Sequence, residues 1–276
     1  MIKRIIAIAD LHIPTYNRIE EYEEHLNDLL ESVKNDIKDF SKDAIRILIM
    51  GDLFHNKNQV SNENLVTVSN FIRRLESLGR VMIIAGNHDF VIQNQNRLDT
   101  LTALFSVARF ENSVFLDKEL GYTSGVVEDE NIKWALWSIY DNYAPINISL
   151  VERSENDSLI GLFHGTVVGC TMENGTSSEN GIDGNMFDGC DIAIGGDIHK
   201  RQILKRKDTE IIYCGSFIQQ DYGETITQHG YLILNISDEG KITHTFRDVS
   251  NNYGFYKIEI KSDEDIDEDK EMLLNY

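Results

Sequence analysis

No apolar run in this chain of 276 residues approaches the roughly 20 needed to cross a bilayer as a helix, so no membrane span is expected. No secretory leader is expected either. Met1-Ile2-Lys3-Arg4 leads straight into a strand-like segment, with no apolar stretch and small-residue cleavage site, which points to the cytoplasm, or to a host's cytoplasm for a viral chain. Cysteine is scarce: Cys170, Cys190 and Cys214 are odd in number and lack CxxC spacing, which favours buried reduced thiols over a disulfide framework or zinc knot. Positive charge is scarce as well. Lys and Arg total 26 against 46 Asp and Glu, a formal net charge of -20, whereas phosphate binding normally draws on clustered Lys and Arg. That objection to a nucleic-acid role is not decisive, because Asp263 to Glu271 alone carries seven acids and one lysine and bound divalent metals would neutralise further carboxylates. No internal repeat is visible.

What the chain does contain is five short clusters of Asp, His and Asn: Asp10-Leu11-His12, Gly51-Asp52-Leu53-Phe54-His55, Gly86-Asn87-His88-Asp89, His164-Gly165 and Asp197-Ile198-His199. Four of them follow directly on an apolar run. Ile5 to Ala9, Ile45 to Met50, Val81 to Ala85, Leu159 to Phe163 and Ile192 to Ile194 are β-branched-rich and hardly alternate, the mark of strands buried on both faces. In an open α/β sheet the loops beyond the carboxyl ends of parallel strands converge on one crevice, so these distant clusters are expected to meet. Asp10 and His12, two apart on an extended chain, would point to the same side and serve one metal.

Between the clusters, Ile19 to Phe40 and Ser61 to Leu78 carry apolar residues at helical spacing, and Gly79 is placed as a C-cap of the second helix. Leu98 to Phe105 suggests a third helix. Ser113 to Tyr140 reads as short strands, with Trp134 and Trp137 as core residues rather than substrate contacts. The glycine-rich stretch Gly169 to Gly189 reads as a long loop, Gln202 to Arg247 as an antiparallel extension or second sheet, and Lys257 to Lys261 as a further strand before the acidic tail. The length suits one large α/β domain with a short appendage.

Hydrolysing a phosphodiester at neutral pH requires charge stabilisation on the non-bridging oxygens, a deprotonated water and help for the leaving alkoxide. Two divalent ions about 3.5 to 4 Å apart supply the first two. Asp52, in a Gly-Asp turn after a strand, is the natural bridging carboxylate. Asp10, His12 and His199 would hold one ion, and Asn87, His164 and Asp197 the other. This mixture of oxygen and imidazole donors suits manganese, iron or zinc better than calcium. His88 and His55 stay outside the ligand set, where an imidazole can protonate a leaving oxygen or stabilise developing charge. A basic group, Lys200, Arg201, Lys205, Arg206 and Lys207, reads either as a solvated hairpin or as a phosphate-backbone contact, with Lys200 and Arg201 the candidate substrate-binding pair.

Taken together these clusters resemble the calcineurin-like metallophosphoesterase superfamily, whose signature runs Asp-x-His, Gly-Asp, Gly-Asn-His-Asp or -Glu, a His, then Gly-His-x-His. Within it the likeness is to SbcD-type DNA repair nucleases of bacteria and phages. Gly51-Asp52-Leu53-Phe54-His55-Asn56-Lys57 carries it, since protein phosphatases of the superfamily continue Gly-Asp-x-Val-Asp-Arg-Gly, and Gly195-Gly196-Asp197-Ile198-His199-Lys200 with Tyr213 to Gln220 is similar to the closing motifs.

The resemblance implies an α/β fold with a two-sheet β-sandwich core flanked by helices in α/β/β/α layers. It implies a nuclease domain over residues 1–250 and, over 251–276, the start of a C-terminal appendage with the acidic tail. It further implies two divalent ions, manganese first and magnesium second, with 3′ to 5′ exonuclease action on duplex DNA and endonuclease action on single strands in break repair. An SMC-like ATPase partner of the SbcC type and a homodimer are implied too. By position His88 matches the histidine that stabilises the transition state, and His55 the one that positions the phosphate for exonuclease cleavage.

Asp197 departs from the signature by replacing an imidazole ligand with a carboxylate, which makes the site harder in ligand character or leaves Asp197 outside the ligand set. A phosphodiesterase or phosphatase for small substrates, and a metal-stabilised scaffold that binds DNA ends or a partner without cutting, stand as alternatives.

Overall fold

Strands buried on both faces need a layer on each side, and this sequence supplies it with helices on one side and a second sheet on the other. The computed structural model describes residues 1–15, 17–56, 59–90 and 98–256. Along the chain run β1 (Arg4–Ile8), α1 (Ile19–Ile37), β2 (Ile45–Met50), α2 (Asn62–Glu76), β3 (Arg80–Ile84), α3 (Thr100–Ala108), β4 (Ser113–Phe115), α4 (Leu116–Glu119), β5 (Gly125–Asp129) and β6 (Ile132–Trp137). They are followed by β7 (Ser158–His164), β8 (Ile192–Gly196), β9 (Gln202–Lys205), β10 (Glu210–Tyr213), β11 (Gly230–Ile236) and β12 (Ile242–Asp248).

The first sheet has the order β12-β11-β1-β2-β3-β4 and the second β5-β6-β7-β8-β10-β9. In the first, β1 to β4 are parallel, with β11 and β12 added antiparallel. In the second, β6, β7, β8 and β10 are parallel between antiparallel edges β5 and β9. The segment Gln202 to Arg247 thus divides, one hairpin going to each sheet.

Alternate residues of the central strands serve different layers. Ile6, Ile8, Ile47 and Ile49 pack on Leu26, Leu30, Val68 and Ile72 of the helices. Ile5, Ala7, Leu48 and Met50 meet Trp134, Leu136, Ile160 and Leu162 of the second sheet. The outer face of that sheet, with Trp137, Phe163 and Tyr213, is covered by Val167, Ile182 and Phe187. This outer layer is thin, made of loops and the 3₁₀ helices Ile148–Leu150 and Gly184–Phe187, so the expected α/β/β/α order holds with a light final layer. Both tryptophans and all three free cysteines are buried, as expected.

Three local expectations change. Gly79 is not a left-handed C-cap: α2 stops at Glu76, Gly79 has no positive φ, and a Cβ there would meet Ile45 Cγ2 at 2.8 Å, so close approach to β2 is what requires glycine. The third helix begins at Thr100 because Asp99 caps it, accepting the Thr102 N–H at 2.7 Å. The loop at Gly169 to Gly189 is tied by isolated bridges between Val167 and Ile182 and between Thr171 and Ser177.

At the start of the expected appendage, the Asn251 amide donates to Glu21 of α1 at 3.1 Å and the Phe255 N–H to Gln219 at 2.7 Å. The expected strand at Lys257 to Lys261 and the acidic tail lie outside the described residues. No described helix is long and apolar enough to cross a membrane.

Candidate metal centre

The carboxyl ends of β1, β2, β3, β7 and β8 face one another across the two sheets and deliver Asp10, His12, Asp52, Asn87, His88, His164, Asp197 and His199 to one place. The chain is not extended where it does so. Asp10, His12, Asp52 and Asp197 have φ of 52°, 46°, 51° and 84°, so four of the expected ligands occupy the left-handed region, a strain tolerated by Asp and His and concentrated at functional sites. Glycine makes the approach possible. A Cβ on Gly86 would meet Asp52 Oδ1 at 2.2 Å, and one on Gly51 would meet His164 Nδ1 at 2.2 Å.

The imidazoles are held by their outer nitrogens. His164 Nδ1 lies 2.7 Å from the Met50 carbonyl oxygen, which can only accept, so Nδ1 carries a proton and Nε2 is the nitrogen turned inward. His199 Nδ1 lies 2.6 Å from Glu224 Oε1 and is fixed in the same way. His88 Nδ1 lies 2.6 Å from the His55 carbonyl oxygen. A ligating histidine shows this arrangement, with one N–H given to an outer acceptor and the other nitrogen free for a metal.

Inside the ring of side chains, carboxylate oxygens and imidazole nitrogens crowd together. His164 Nε2 is 3.4 Å from Asp52 Oδ1, His12 Nε2 is 3.4 Å from Asp52 Oδ2, and His12 Nε2 is 3.1 Å from His199 Nε2. Asp10 Oδ2, His12 Nδ1, Asn87 Oδ1 and His164 Nε2 are buried without a hydrogen-bond partner. Left alone, each such group loses its water without compensation. Ligand atoms of Asp10, His12 and His199, and likewise of Asp10, Asp52 and His164, lie within 4.8 Å of one another. The residues present therefore fit two divalent cations. Asp10, His12 and His199 would hold one, and His164 and Asn87 the other. Asp52, with an oxygen toward each group, would lie between them.

The electrostatics agree. Burial, reinforced by Asp52 and opposed by His164 and His199, pushes the Asp10 carboxyl up to about 7. His164 and His12 outweigh burial at Asp52 and hold its carboxyl below the usual range. Burial disfavours the His199 cation, but the hydrogen bond to Glu224 and the Asp10 charge prevail and raise it to about 9. Such a concentration of carboxylates calls for positive charge, whether protons or metal.

Several residues outside the expected set build the site. The carboxylate of Asp89 accepts four backbone N–H groups: Asp52 at 2.9 Å, Leu53 at 3.2 Å, Phe54 at 3.3 Å and Gly86 at 2.8 Å. It staples the loop after β2 to the loop after β3. These bonds favour its ionised form, against burial and the Asp52 charge, which push it up to about 7. Glu224 orients His199 while its other oxygen accepts from Ser216 and Gln220, so the closing segment Tyr213 to Gln220 acts as a support for that ligand. Tyr143 donates to the His164 carbonyl at 2.7 Å and Thr166 to Asp197 Oδ2 at 2.7 Å. Asp89 belonged to a quoted cluster and was readable as a candidate; Glu224 had no spacing signal.

His55 and His88 stand beside the ligands, with ring centroids 5.7 and 4.8 Å from that of His12. His88 also comes within ligand distance of His12 and Asp52, nearer than expected. Asp197 is brought to Asn87, whose Nδ2 donates to its Oδ1 at 2.9 Å, with His164 Nε2 3.9 Å from that same oxygen. Arg201 turns away: its guanidinium donates to Asp248 and lies 4.7 Å over the Phe246 ring. Lys200 is half-buried. Arg206 donates to the Val168 carbonyl, so both arginines of the basic group are committed to structural contacts.

A model of the calcineurin-like phosphoesterases matches residues 3–215, which includes every cluster above. The chain belongs to that family. Metal-dependent hydrolysis of phosphoesters is the chemistry of that family, and the ligand groupings could hold divalent metal. It is 30% identical over 267 residues to the uncharacterized protein R555 of Acanthamoeba polyphaga mimivirus, covering 94% of this chain and 19% of that protein. The chain thus spans 19% of the length of that relative. It is 28% identical over 242 residues to a protein of Invertebrate iridescent virus 6 named "Putative phosphoesterase 244L", covering 85% of this chain and 77% of the other. Among solved structures it is similar to GAP50 of Plasmodium, described as the anchor in the inner membrane complex, with a TM-score of 0.58 and 12% identity over 94% of this chain and 89% of the other. That likeness is one of fold.

Proposed function

We propose that this phosphoesterase is a DNA nuclease that cuts phosphodiester bonds, as a 3′ to 5′ exonuclease on duplex ends and an endonuclease on single strands. In this reading it works with an SMC-like ATPase of the SbcC type, as a homodimer, in break repair or recombination. The observation that carries the reading is the His55–His88 pair standing over the ligand cluster. His88 is fixed by Nδ1 on the His55 carbonyl and by its own N–H, which donates to Asp52 Oδ1 at 2.7 Å, so Nε2 is left to face a substrate.

When bound, the two divalent cations supply charge stabilisation and a water of lowered pKa. The chain's own residues do the rest. Asp89 and the glycines hold the two loops rigid, Glu224 and the Met50 carbonyl fix His199 and His164, and His88, when its ring carries a second proton on Nε2, donates that proton to the departing oxygen or stabilises its charge. His55, exposed at the rim, sets the position of the strand end.

Cleavage of end-labelled duplex and circular single-stranded DNA with manganese tests the reading. His88→Ala is expected to abolish both activities with metal still bound, and His55→Ala to remove the exonuclease alone. Absence of cleavage by the full-length protein with its ATPase overturns it.

A second reading has its own observation. A cavity of about 400 Å³ opens beside Asn87, His164 and Asp197, lined by Tyr140, Tyr143 and Thr166 and, among the described residues, by no Lys or Arg. Such walls suit the neutral part of a small phosphodiester. Hydrolysis of small diesters without action on DNA favours this reading.

A further inference from the structure

We propose that the two ion positions are chemically unequal and take different metals, with Asp197 as the residue that separates them. The Asp10, His12 and His199 position takes a borderline ion of the zinc or iron kind. The Asn87, His164 and Asp197 position takes a hard ion, magnesium or manganese. This deepens the metallophosphoesterase reading, rests on it, and is independent of whether the substrate is DNA.

The first position offers two imidazole nitrogens, His12 Nε2 and His199 Nε2, only 3.1 Å apart, with Asp10 inside the same grouping. The second offers one imidazole, His164 Nε2, and otherwise oxygen: Asn87 Oδ1, buried and unpartnered, and Asp197 Oδ1, 3.9 Å from that nitrogen. Asp52 is common to both. Imidazole-rich sets favour zinc, copper and iron, whereas carboxylate and carbonyl sets suit magnesium and manganese.

The carboxylate at 197 is built in. Asp197 Oδ1 accepts from Asn87 Nδ2 at 2.9 Å and Oδ2 from Thr166 Oγ1 at 2.7 Å. An imidazole has a single lone-pair nitrogen and could not accept both while ligating a metal. The first of these bonds also fixes the Asn87 amide with its oxygen toward the site.

The test uses the full chain, stripped by chelation and reloaded with about two equivalents of zinc per chain in excess magnesium, with elemental analysis after gel filtration. The wild type is expected to retain about one zinc per chain and Asp197→His about two. As a measurement on the wild type alone, protein loaded with manganese and titrated with zinc is followed by electron paramagnetic resonance. Zinc is expected to displace about half of the bound manganese and leave the rest in place. Retention of a second zinc by the wild type, or displacement of all manganese in one phase, overturns the inequality and leaves the metallophosphoesterase reading standing. Retention of no divalent ion overturns both.

Discussion

His164 Nε2 stands 3.4 Å from Asp52 Oδ1 while its other nitrogen is committed to the Met50 carbonyl, so in the metal-free protein only a second proton on the ring can join the two atoms. Burial opposes that proton, but the Asp52 charge prevails and raises His164 well above its ordinary value. The contact is unfavourable until His164 gains a second proton or a cation stands near both atoms. Chelation is therefore expected to destabilise the protein. At a metal concentration about a hundred times the dissociation constant the ion contributes about 2.7 kcal/mol, read as a fall in Tm on adding chelator and its recovery with manganese. An unchanged Tm in a protein shown to have lost its metal contradicts this.

Glu224 acts on the site only through His199. Glu224→Gln keeps the shape but removes the charged acceptor of the Nδ1–H, and manganese affinity should fall about 10- to 100-fold. Calorimetric titration measures it, and an unchanged dissociation constant would show that Glu224 merely fills space.

Asp89 binds no metal in this account, yet its two oxygens serve four N–H groups. Asp89→Asn turns an amide NH₂ toward donors and leaves buried N–H groups unsatisfied, a cost of about 2 to 6 kcal/mol. Denaturant unfolding of the metal-free protein should show it, separating a fold effect from a metal effect.

The His199 cation gives the metal-free protein a pH dependence of definite sign. Its folded value, raised from 6.5 to about 9 by Glu224 and Asp10 against burial, stabilises the fold fully below 6.5 and ceases to do so as pH rises through 9. The contribution of His199 to Tm should thus decline across that window, and a His199→Gln variant should show a weaker decline. Metal binding must displace that proton, so manganese affinity should rise over the same window.

Much of this site was readable in the sequence because strands buried on both faces give unbroken apolar runs, and each run's end marks where polar residues can begin. Asp10, Asp52, Asn87 and His164 were visible in that way. The left-handed φ at Asp10, His12, Asp52 and Asp197 was not, since it goes with contacts between loops distant in sequence, such as the His12 N–H to the Asp52 carbonyl at 2.9 Å and the Asp197 N–H to Asp10 Oδ1 at 3.0 Å. Glu224 was hidden because only the path from β10 to β11 brings it to His199. Gly79 fitted a C-cap pattern, whereas the requirement for glycine comes from the side chain of Ile45. The split of Gln202 to Arg247 between two sheets is likewise a tertiary choice, because β9 and β11 carry equally acceptable strand patterns.

The central claim is that these side chains form a metal-dependent phosphodiesterase centre, and the most direct measurement is hydrolysis of bis(p-nitrophenyl) phosphate by protein stripped of metal and then given manganese. No hydrolysis before manganese, hydrolysis after it, and loss of that activity in Asp52→Asn are predicted. Hydrolysis by the stripped protein, or none after manganese has been shown to bind, would contradict the account.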